Sequence, residues 1–294
     1  MINLKSESFR NKLAIIGRYI VLSLIGLIFI FPIVFMVVSS LKPDLQLLKD
    51  SSSLRAFLPV GDISLTNYRE AFQRAPTAHF IFNSVMVTST TVILGLIVNS
   101  MAGFALSILH WKGRSIILTV IIATFIVPFE TIAIPLLLIA SRLPWISLEG
   151  FTQGWLNTYH VQIIPFIANS FSIFLFVQFF KGLPEEIVEA ARIDGASWFQ
   201  IYRQIIIPVS GPVFSTVTIL TFLPMWNQYL WPIMTLQEEK YRPVMVGLQY
   251  FFQLNVAWGE VMAYLSTITI PVLILYLMLQ STFVESIATS GVKG

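Results

Sequence analysis

The chain contains no cysteine. Disulfides, thiolate metal sites and cysteine nucleophiles are therefore excluded. Charge is scarce as well: Asp, Glu, Lys and Arg make up 11% of the 294 residues, against about 25% in a soluble domain. Histidine occurs three times, at His79, His110 and His160, far apart in sequence. No H-E-x-x-H, G-x-S-x-G or phosphate-cradling Gly-Lys-Ser/Thr loop is present. The chain thus carries no motif for hydrolysing ATP or for metal-assisted or serine hydrolysis.

What remains is apolar. Hydrophobic residues make up 56% of the chain, and the mean hydropathy is +0.79. So little polar surface cannot cover a soluble globule, so the bilayer is the natural solvent. Six stretches are long enough to span, at about 13–39, 80–109, 115–140, 158–180, 209–236 and 261–284. Each exceeds the roughly 20 residues that a helix needs to cross the hydrocarbon. Open strands leave backbone groups unpaired in lipid, and no alternating pattern of a barrel appears, so the spans are expected to be helices. The third stretch is interrupted by Pro128, Glu130 and Pro135. The basic start of the chain, followed by a long apolar run without a small-residue cleavage site, reads as a retained signal-anchor helix.

Lys and Arg flanking the spans set the orientation. Ten of the 18 basic residues, against six of the 15 acidic ones, fall on the side holding the N-terminus, Lys112, Arg114, the 181–208 loop and Lys293. That side is expected to be cytoplasmic, with both termini. The small positive excess is a topology signal, and no nucleic-acid partner is expected. The chain reads as a single transmembrane domain, 1–294. It has a cytoplasmic N-terminus 1–12, an outer loop 41–79 with a short amphipathic helix at Asn67–Gln73, a cytoplasmic loop 181–208 and a cytoplasmic tail 285–294. A second outer segment, 141–157, is rich in Trp, Gly and Ser.

The loop KGLPEEIVEAARIDGASWFQIYRQIIIP at 181–208 encodes two helices. Pro184 suits a first turn, where its missing N–H costs nothing. Glu185 and Glu186 follow where the helix dipole favours negative charge. Asp194-Gly195 is a stop. Ser197-Trp198-Phe199-Gln200 has the form of a capping box. The expected product is a helix-turn-helix elbow, with Ala190, Ala191, Gly195 and Ala196 as a small-residue surface open to close approach by another protein. An ordinary amphipathic connector lying on the membrane is the alternative from these features alone.

The spacing Glu189-Ala190-Ala191, three residues, Gly195, nine residues, Ile205, one residue, Ile207-Pro208 resembles the EAA loop of ABC-importer permeases. Ile207 replaces the usual Leu. In that family the elbow docks in a cleft of an ATPase subunit. The resemblance implies an ATPase-coupling role for Glu189, Ala190, Ala191, Asp194, Gly195, Ala196 and Pro208. It extends along nearly the whole chain and resembles the carbohydrate branch, specifically the permeases similar to the maltose system's smaller subunit. Asn67-Tyr68-Arg69-Glu70-Ala71-Phe72, Asn83-Ser84, Pro128-Phe129-Glu130 with Ile134-Pro135-Leu136, Trp226-Asn227-Gln228-Tyr229-Leu230-Trp231-Pro232 and the tail Thr289–Gly294 all look like that branch. The Trp145–Gly154 stretch departs from it by being longer.

Four residues are candidates for a substrate path. Glu130 is an intramembrane carboxylate, or a cap for the helix segment broken at Pro128. Asn227 could bond sugar hydroxyls while Trp226 and Tyr229 stack on a sugar face, or it could make an interhelical hydrogen bond. Asn99, Asn169 and Gln178 read as helix glue, and His160 as interfacial. Arg192 pairs with an ATPase or obeys the positive-inside rule.

The expected fold is therefore an all-α membrane protein with six transmembrane helices, of the type I ABC-importer permease fold, in the bacterial inner membrane. The resemblance implies a non-catalytic subunit that holds no cofactor, with ATP and Mg bound by the partner ATPase. It also implies a homologous second permease embraced by the first helix, an ATPase dimer, an extracytoplasmic solute-binding protein, surrounding lipid, and a sugar, oligosaccharide or polyol glycoside as substrate. Transport would proceed by alternating access. Glycerol phosphate is the alternative substrate. An ion-coupled secondary transporter and a membrane enzyme are the rival classes. The first would show discontinuous paired repeats and the second a clustered catalytic set, and neither pattern is present.

Overall fold

The computed structural model describes residues 3–147, 150–253 and 256–291, with side chains over 14–145, 154–253 and 256–280. The last residues of the tail, 292–294, lie outside that range, as do residues 1–2 and 148–149 of the N-terminus and the second outer segment. The chain divides into two compact units, 1–76 with 248–270, and 77–247 with 271–294.

In the first unit, α1 (Asn3–Ser40) is followed by α2 (Asp44–Asp50), a 3₁₀ turn Leu54–Phe57 and α3 (Thr66–Arg74). The amphipathic helix expected at 67–73 is thus observed, one residue longer at each end. The Ala14–Ser40 part of α1 is long and apolar enough to span, and its most apolar window has no buried residue within the chain. The loop after it is held by a buried ion pair: Lys42 Nζ donates to Asp50 Oδ2 at 3.1 Å and to the Arg55 carbonyl. Asn67, also buried, donates to the Ser40 and Lys42 carbonyls at 2.9 and 2.8 Å. A Cβ on Gly259 would lie 2.4 Å from the Asn67 amide nitrogen, so only glycine fits there.

In the second unit, α4 (Thr77–Ser107) is the central post. It touches α7 (Tyr159–Ile167), α8 (Ser170–Lys181) and α12 (Gly211–Trp226). Asn83, Val87, Thr91, Gly95, Asn99 and Gly103 recur every fourth residue and are all buried. Small and polar residues let helix backbones approach where lipid offers no hydrophobic drive. A Cβ on Gly103 would meet Phe176 Cβ at 2.5 Å. The remaining helices of the chain are α5 (Arg114–Phe125), α6 (Phe129–Ala140), α9 (Glu185–Ile193), α10 (Trp198–Gln200), α11 (Ile207–Val209), α13 (Leu230–Thr235), α14 (Val244–Gly247) and α15 (Trp258–Gly291).

The six expected spans resolve differently. Among the described residues, four helices can cross alone: Ala14–Ser40, Thr77–Ser107, Tyr159–Lys181 and Trp258–Gln280. The third and fifth are bent pairs, Arg114–Phe125 with Phe129–Ala140 at 102° and Trp198–Val209 with Gly211–Trp226 at 80°. The count is six if each bent pair is one span. The first bend has its cause in Pro128, whose ring holds an extended backbone (φ −62°, ψ 140°) ahead of α6. The fifth expected stretch, 209–236, is not continuous either, because α12 stops at Trp226 and α13 begins at Leu230. A small correction to the all-α expectation is an antiparallel hairpin, Pro144–Ser147 with Gly150–Gln153, in the second outer segment.

Lys42 and Asp50 generate a prediction. The hydrogen bond from Lys42 is the main cause that holds the Asp50 carboxyl below the usual carboxylate range, with burial opposing it. The pair therefore contributes stability above that range, and the contribution fades as pH falls through the lowered value. Asp50→Asn should lower the melting temperature of the detergent-solubilised protein at neutral pH. The gap from wild type should narrow as the buffer is acidified below the ordinary carboxylate range. A gap constant with pH would refute the assignment.

Candidate functional site: the elbow between the fourth and fifth spans

α9 begins after Pro184 (φ −58°, ψ 127°), with exposed Glu185 and Glu186 in its first turn and Arg192 in its last. Its end is a Schellman motif. Gly195 takes φ +82°. Its N–H donates to the Arg192 carbonyl at 3.1 Å, and the Ala196 N–H donates to the Ala191 carbonyl at 3.0 Å. A left-handed residue at this position is what lets both orphan carbonyls be satisfied, and glycine adopts it without Cβ strain. Ser197 then caps the next helix reciprocally: its Oγ accepts from Gln200 N–H at 3.3 Å, and Gln200 Oε1 accepts from Ser197 N–H at 2.8 Å. Arg192 bridges the two arms. Its guanidinium donates to the Ala196 carbonyl at 2.8 Å and lies over the Trp198 ring, 4.6 Å from its centroid. Within the chain, then, Arg192 braces the turn.

The elbow has two faces. On the inner one, Ala191 is buried and joins a cluster with Phe176, Phe180, Ile201, Tyr202 and Ile206, against which Val188 and Ala196 also pack. This corrects the expectation of Ala191 on a small-residue surface. Only Ala190 and Gly195 are open, with Ala196 half-buried. On the outer face Glu189, Ala190 and Asp194 are exposed, and so is Ile193, at 86%. Sequence reading missed Ile193 as a site residue, although its place beside the Asp194-Gly195 turn was the available signal. Burying so exposed an isoleucine against a partner would stabilise the contact by about 1.5–3 kcal/mol. A groove of about 740 Å³ runs alongside, walled by Ile108, His110, Lys181, Glu189, Arg192 and Trp198.

The inner face leads into the spans. After α10 the helix widens into a π-helix, Ile201–Ile206, before α11. Pro208 and Pro212 each remove an N–H donor and crowd the preceding turn, and the chain bends by 80° between Trp198–Val209 and Gly211–Trp226. Ser210 Oγ donates to the Ile206 carbonyl at 2.5 Å. Pro208 thus lies at this bend, away from the elbow tip. Tyr202 bonds Ser100 of α4 at 2.7 Å between hydroxyls.

The expected substrate-path residues are placed as follows. Trp226 is buried, its ring stacked on Phe222 at 5.5 Å and 9°, so it presents no face to a solute. Asn227 is exposed, but its amide donates back to the Leu223 carbonyl at 2.9 Å, capping α12. Tyr229 is 41% exposed. Glu130 is exposed in the first turn of α6, the position where a helix N-terminus favours a carboxylate. Phe129 meets Trp231 edge-on at 5.8 Å, which brings the break before α6 alongside the start of α13. Asn99 and Asn169 hold the break between α7 and α8. Asn99 donates to the Ile167 carbonyl and accepts from Asn169 N–H, both at 2.9 Å, and Asn169 caps α8 through Ser172 N–H.

Residues 92–288 match the family described as binding-protein-dependent transport system inner membrane component. The chain is 30% identical over 272 residues to the arabinooligosaccharides transport system permease protein AraQ of Halalkalibacterium halodurans, covering 92% of this chain and 93% of that one. It is 28% identical over 284 residues to the sn-glycerol-3-phosphate transport system permease protein UgpE of Brucella abortus, covering 93% and 95%. A chain in the crystal structure of a bacterial ABC transporter involved in the import of the acidic polysaccharide alginate has the same fold. That match has a TM-score of 0.76 and 23% identity over 93% of this chain and 98% of that one.

The two-faced elbow separates folding from docking. Ala191→Leu overfills the buried cluster and should destabilise the purified protein by about 1–3 kcal/mol. Ala190→Leu, one residue away on the open face, should leave the melting temperature unchanged. Equal shifts for both substitutions would show that the assigned faces are wrong.

Proposed function

Because the chain belongs to the binding-protein-dependent transport system inner membrane component family, we propose that it is a permease subunit of an ABC importer that carries a sugar, oligosaccharide or polyol glycoside inward. The Schellman-capped elbow carries this reading. Its outer face, with Glu189, Ala190, Ile193, Asp194 and Gly195, offers a compact surface to an ATPase subunit. Its inner face is one apolar cluster with α8 and the π-helix that leads to the fifth span. A push on the outside therefore meets packed side chains all the way to the spans, and a packed cluster transmits displacement rather than absorbing it.

In this reading the ATPase pair holds ATP and Mg, closes on binding nucleotide, and draws two such elbows together, one from this chain and one from a homologous permease. The spans then exchange inward for outward access. The Ala14–Ser40 helix, unburied over its most apolar window, supplies surface for that second permease and for lipid. The N-terminus, elbow and tail face the cytoplasm, and a solute-binding protein delivers substrate outside. A carbohydrate is favoured over glycerol phosphate because the exposed candidates at the helix breaks, Asn227, Tyr229 and Glu130, are hydrogen-bonding, aromatic and acidic groups, with no Lys or Arg in either break.

The test is reconstitution in liposomes with the partner permease, ATPase and binding protein. Uptake should require ATP. Gly195→Pro, which cannot take φ +82° or donate its N–H, should abolish uptake and binding-protein-stimulated ATPase activity, as should Ala190→Trp, while both variants stay membrane-inserted. Uptake without ATP or without the ATPase subunit would overturn the reading. Calorimetry of the binding protein against sugars and glycerol phosphate decides the substrate class, and binding of glycerol phosphate alone would reverse the assignment.

A further inference from the structure

The segment between α13 and α14, Leu236–Pro243, is polar and charged, and its Gln237, Glu238, Glu239 and Lys240 are exposed. It contains one 3₁₀ turn, Glu239–Tyr241, and side chains from elsewhere grip its backbone. Asn157 Oδ1 accepts from the N–H groups of Gln237 and Glu238 at 2.6 and 3.1 Å. His79 Nε2 lies 2.6 Å from the Lys240 carbonyl oxygen, a donor contact for the tautomer with its proton on Nε2. The buried Asn83 donates both amide hydrogens, to the Lys240 carbonyl at 2.9 Å and the Arg242 carbonyl at 3.0 Å. Gln162 donates to the Tyr241 carbonyl at 3.1 Å, and Ser84 Oγ accepts from Val244 N–H at 2.9 Å.

The gripping residues named above come from the start of α4 (His79, Asn83, Ser84) and the start of α7 with its preceding turn (Asn157, Gln162), and the loop's own Arg242 adds a bond to the Gln237 carbonyl at 2.7 Å. A further bond joins them. Tyr159 of α7 donates its hydroxyl to Asn83 Oδ1 at 2.8 Å, which fixes the amide so that its two hydrogens point at the loop. Asn83 is fully buried, and all of its hydrogen-bonding directions toward the loop are in use. Breaking this arrangement would leave the fully buried Asn83 amide without partners, which is costly.

We propose that Asn83, oriented by Tyr159, is a positioning residue that locks the 236–244 loop to the ends of the second and fourth spans, so that the loop and both helix ends move as one body during transport. The proposal rests on the transport reading for its consequence but not for its geometry. Because the grip falls on the backbone, the loop keeps its shape whatever its exposed side chains meet.

Limited trypsinolysis reads the lock directly, with the full chain in detergent and no partner or solute. Lys240 offers the one ordinary trypsin bond in the loop, since Arg242 is followed by Pro243. The carbonyl of that bond is the one held by His79 and Asn83. Asn83→Asp keeps the size and removes both donors, and Tyr159→Phe removes only the orienting bond. Cleavage after Lys240 should accelerate by about tenfold for Asn83→Asp and by less for Tyr159→Phe, because cleavage follows the population of the opened loop. In the reconstituted importer, both should lose several-fold in binding-protein-stimulated ATPase activity while basal ATPase activity is retained. Unchanged cleavage in both variants overturns the lock. Faster cleavage with undiminished stimulation overturns the shared movement. A wild-type importer with no ATP-driven uptake would instead count against the transport reading, leaving the cleavage result to stand by itself.

Discussion

The hydrocarbon core of a membrane offers no water to a backbone N–H or carbonyl, so every interruption of a spanning helix must be repaired from within the chain. Much of this structure follows from that demand. Where α7 gives way to α8, Asn99 reaches across from α4 to satisfy Ile167 and Asn169 together. Ahead of α12, the Ser210 N–H turns to the Ile207 carbonyl and its hydroxyl serves the Ile206 carbonyl instead. At the end of α12, Asn227 turns onto Leu223. Each repair uses a short polar side chain within hydrogen-bond reach, and each fixes the bend it repairs.

The elbow shows the same economy outside the spans. Its turn needs a left-handed residue, Gly195, and its second arm needs a reciprocal cap, Ser197 with Gln200. Arg192 spans the two arms through the Ala196 carbonyl and the Trp198 ring. An exposed cation–π contact is worth only about 0.5–1 kcal/mol, so the brace acts together with the caps rather than in place of them. The consequence is a turn whose shape does not depend on a partner. A preformed surface loses less conformational entropy on docking, and it passes on movement instead of deforming.

Local chemistry was legible in the sequence wherever it is written in adjacent residues. Pro184, the Asp194-Gly195 stop, the Ser197–Gln200 box and the helix at Asn67–Gln73 all appear where residue types demanded them. What escaped was set by tertiary partners. The face on which Ala191 lies depends on Phe176, Phe180 and Ile201, which approach from other elements. The burial of Trp226 depends on its stacking with Phe222 and on the packing around α12. The prolines of the third and fifth stretches announced disruption, but not its size, the bends of 102° and 80°. The ion pair of Lys42 was not legible, because nothing local says that Asp50 folds back onto it.

The polar side chains of the second unit reveal a division of labour. Asn83, Asn99, Gln162, Asn169 and Ser210 all bond to backbone groups of the chain itself. A group already paired with the backbone in a low-dielectric setting gives up that bond only at the cost of leaving it unpaired, so these residues fix the shape of the helix breaks and ends they bond to. Asn227, Tyr229 and Glu130, by contrast, stay exposed at the helix breaks. The bends are thus held by the same few polar side chains that satisfy the backbone groups lipid would leave unpaired.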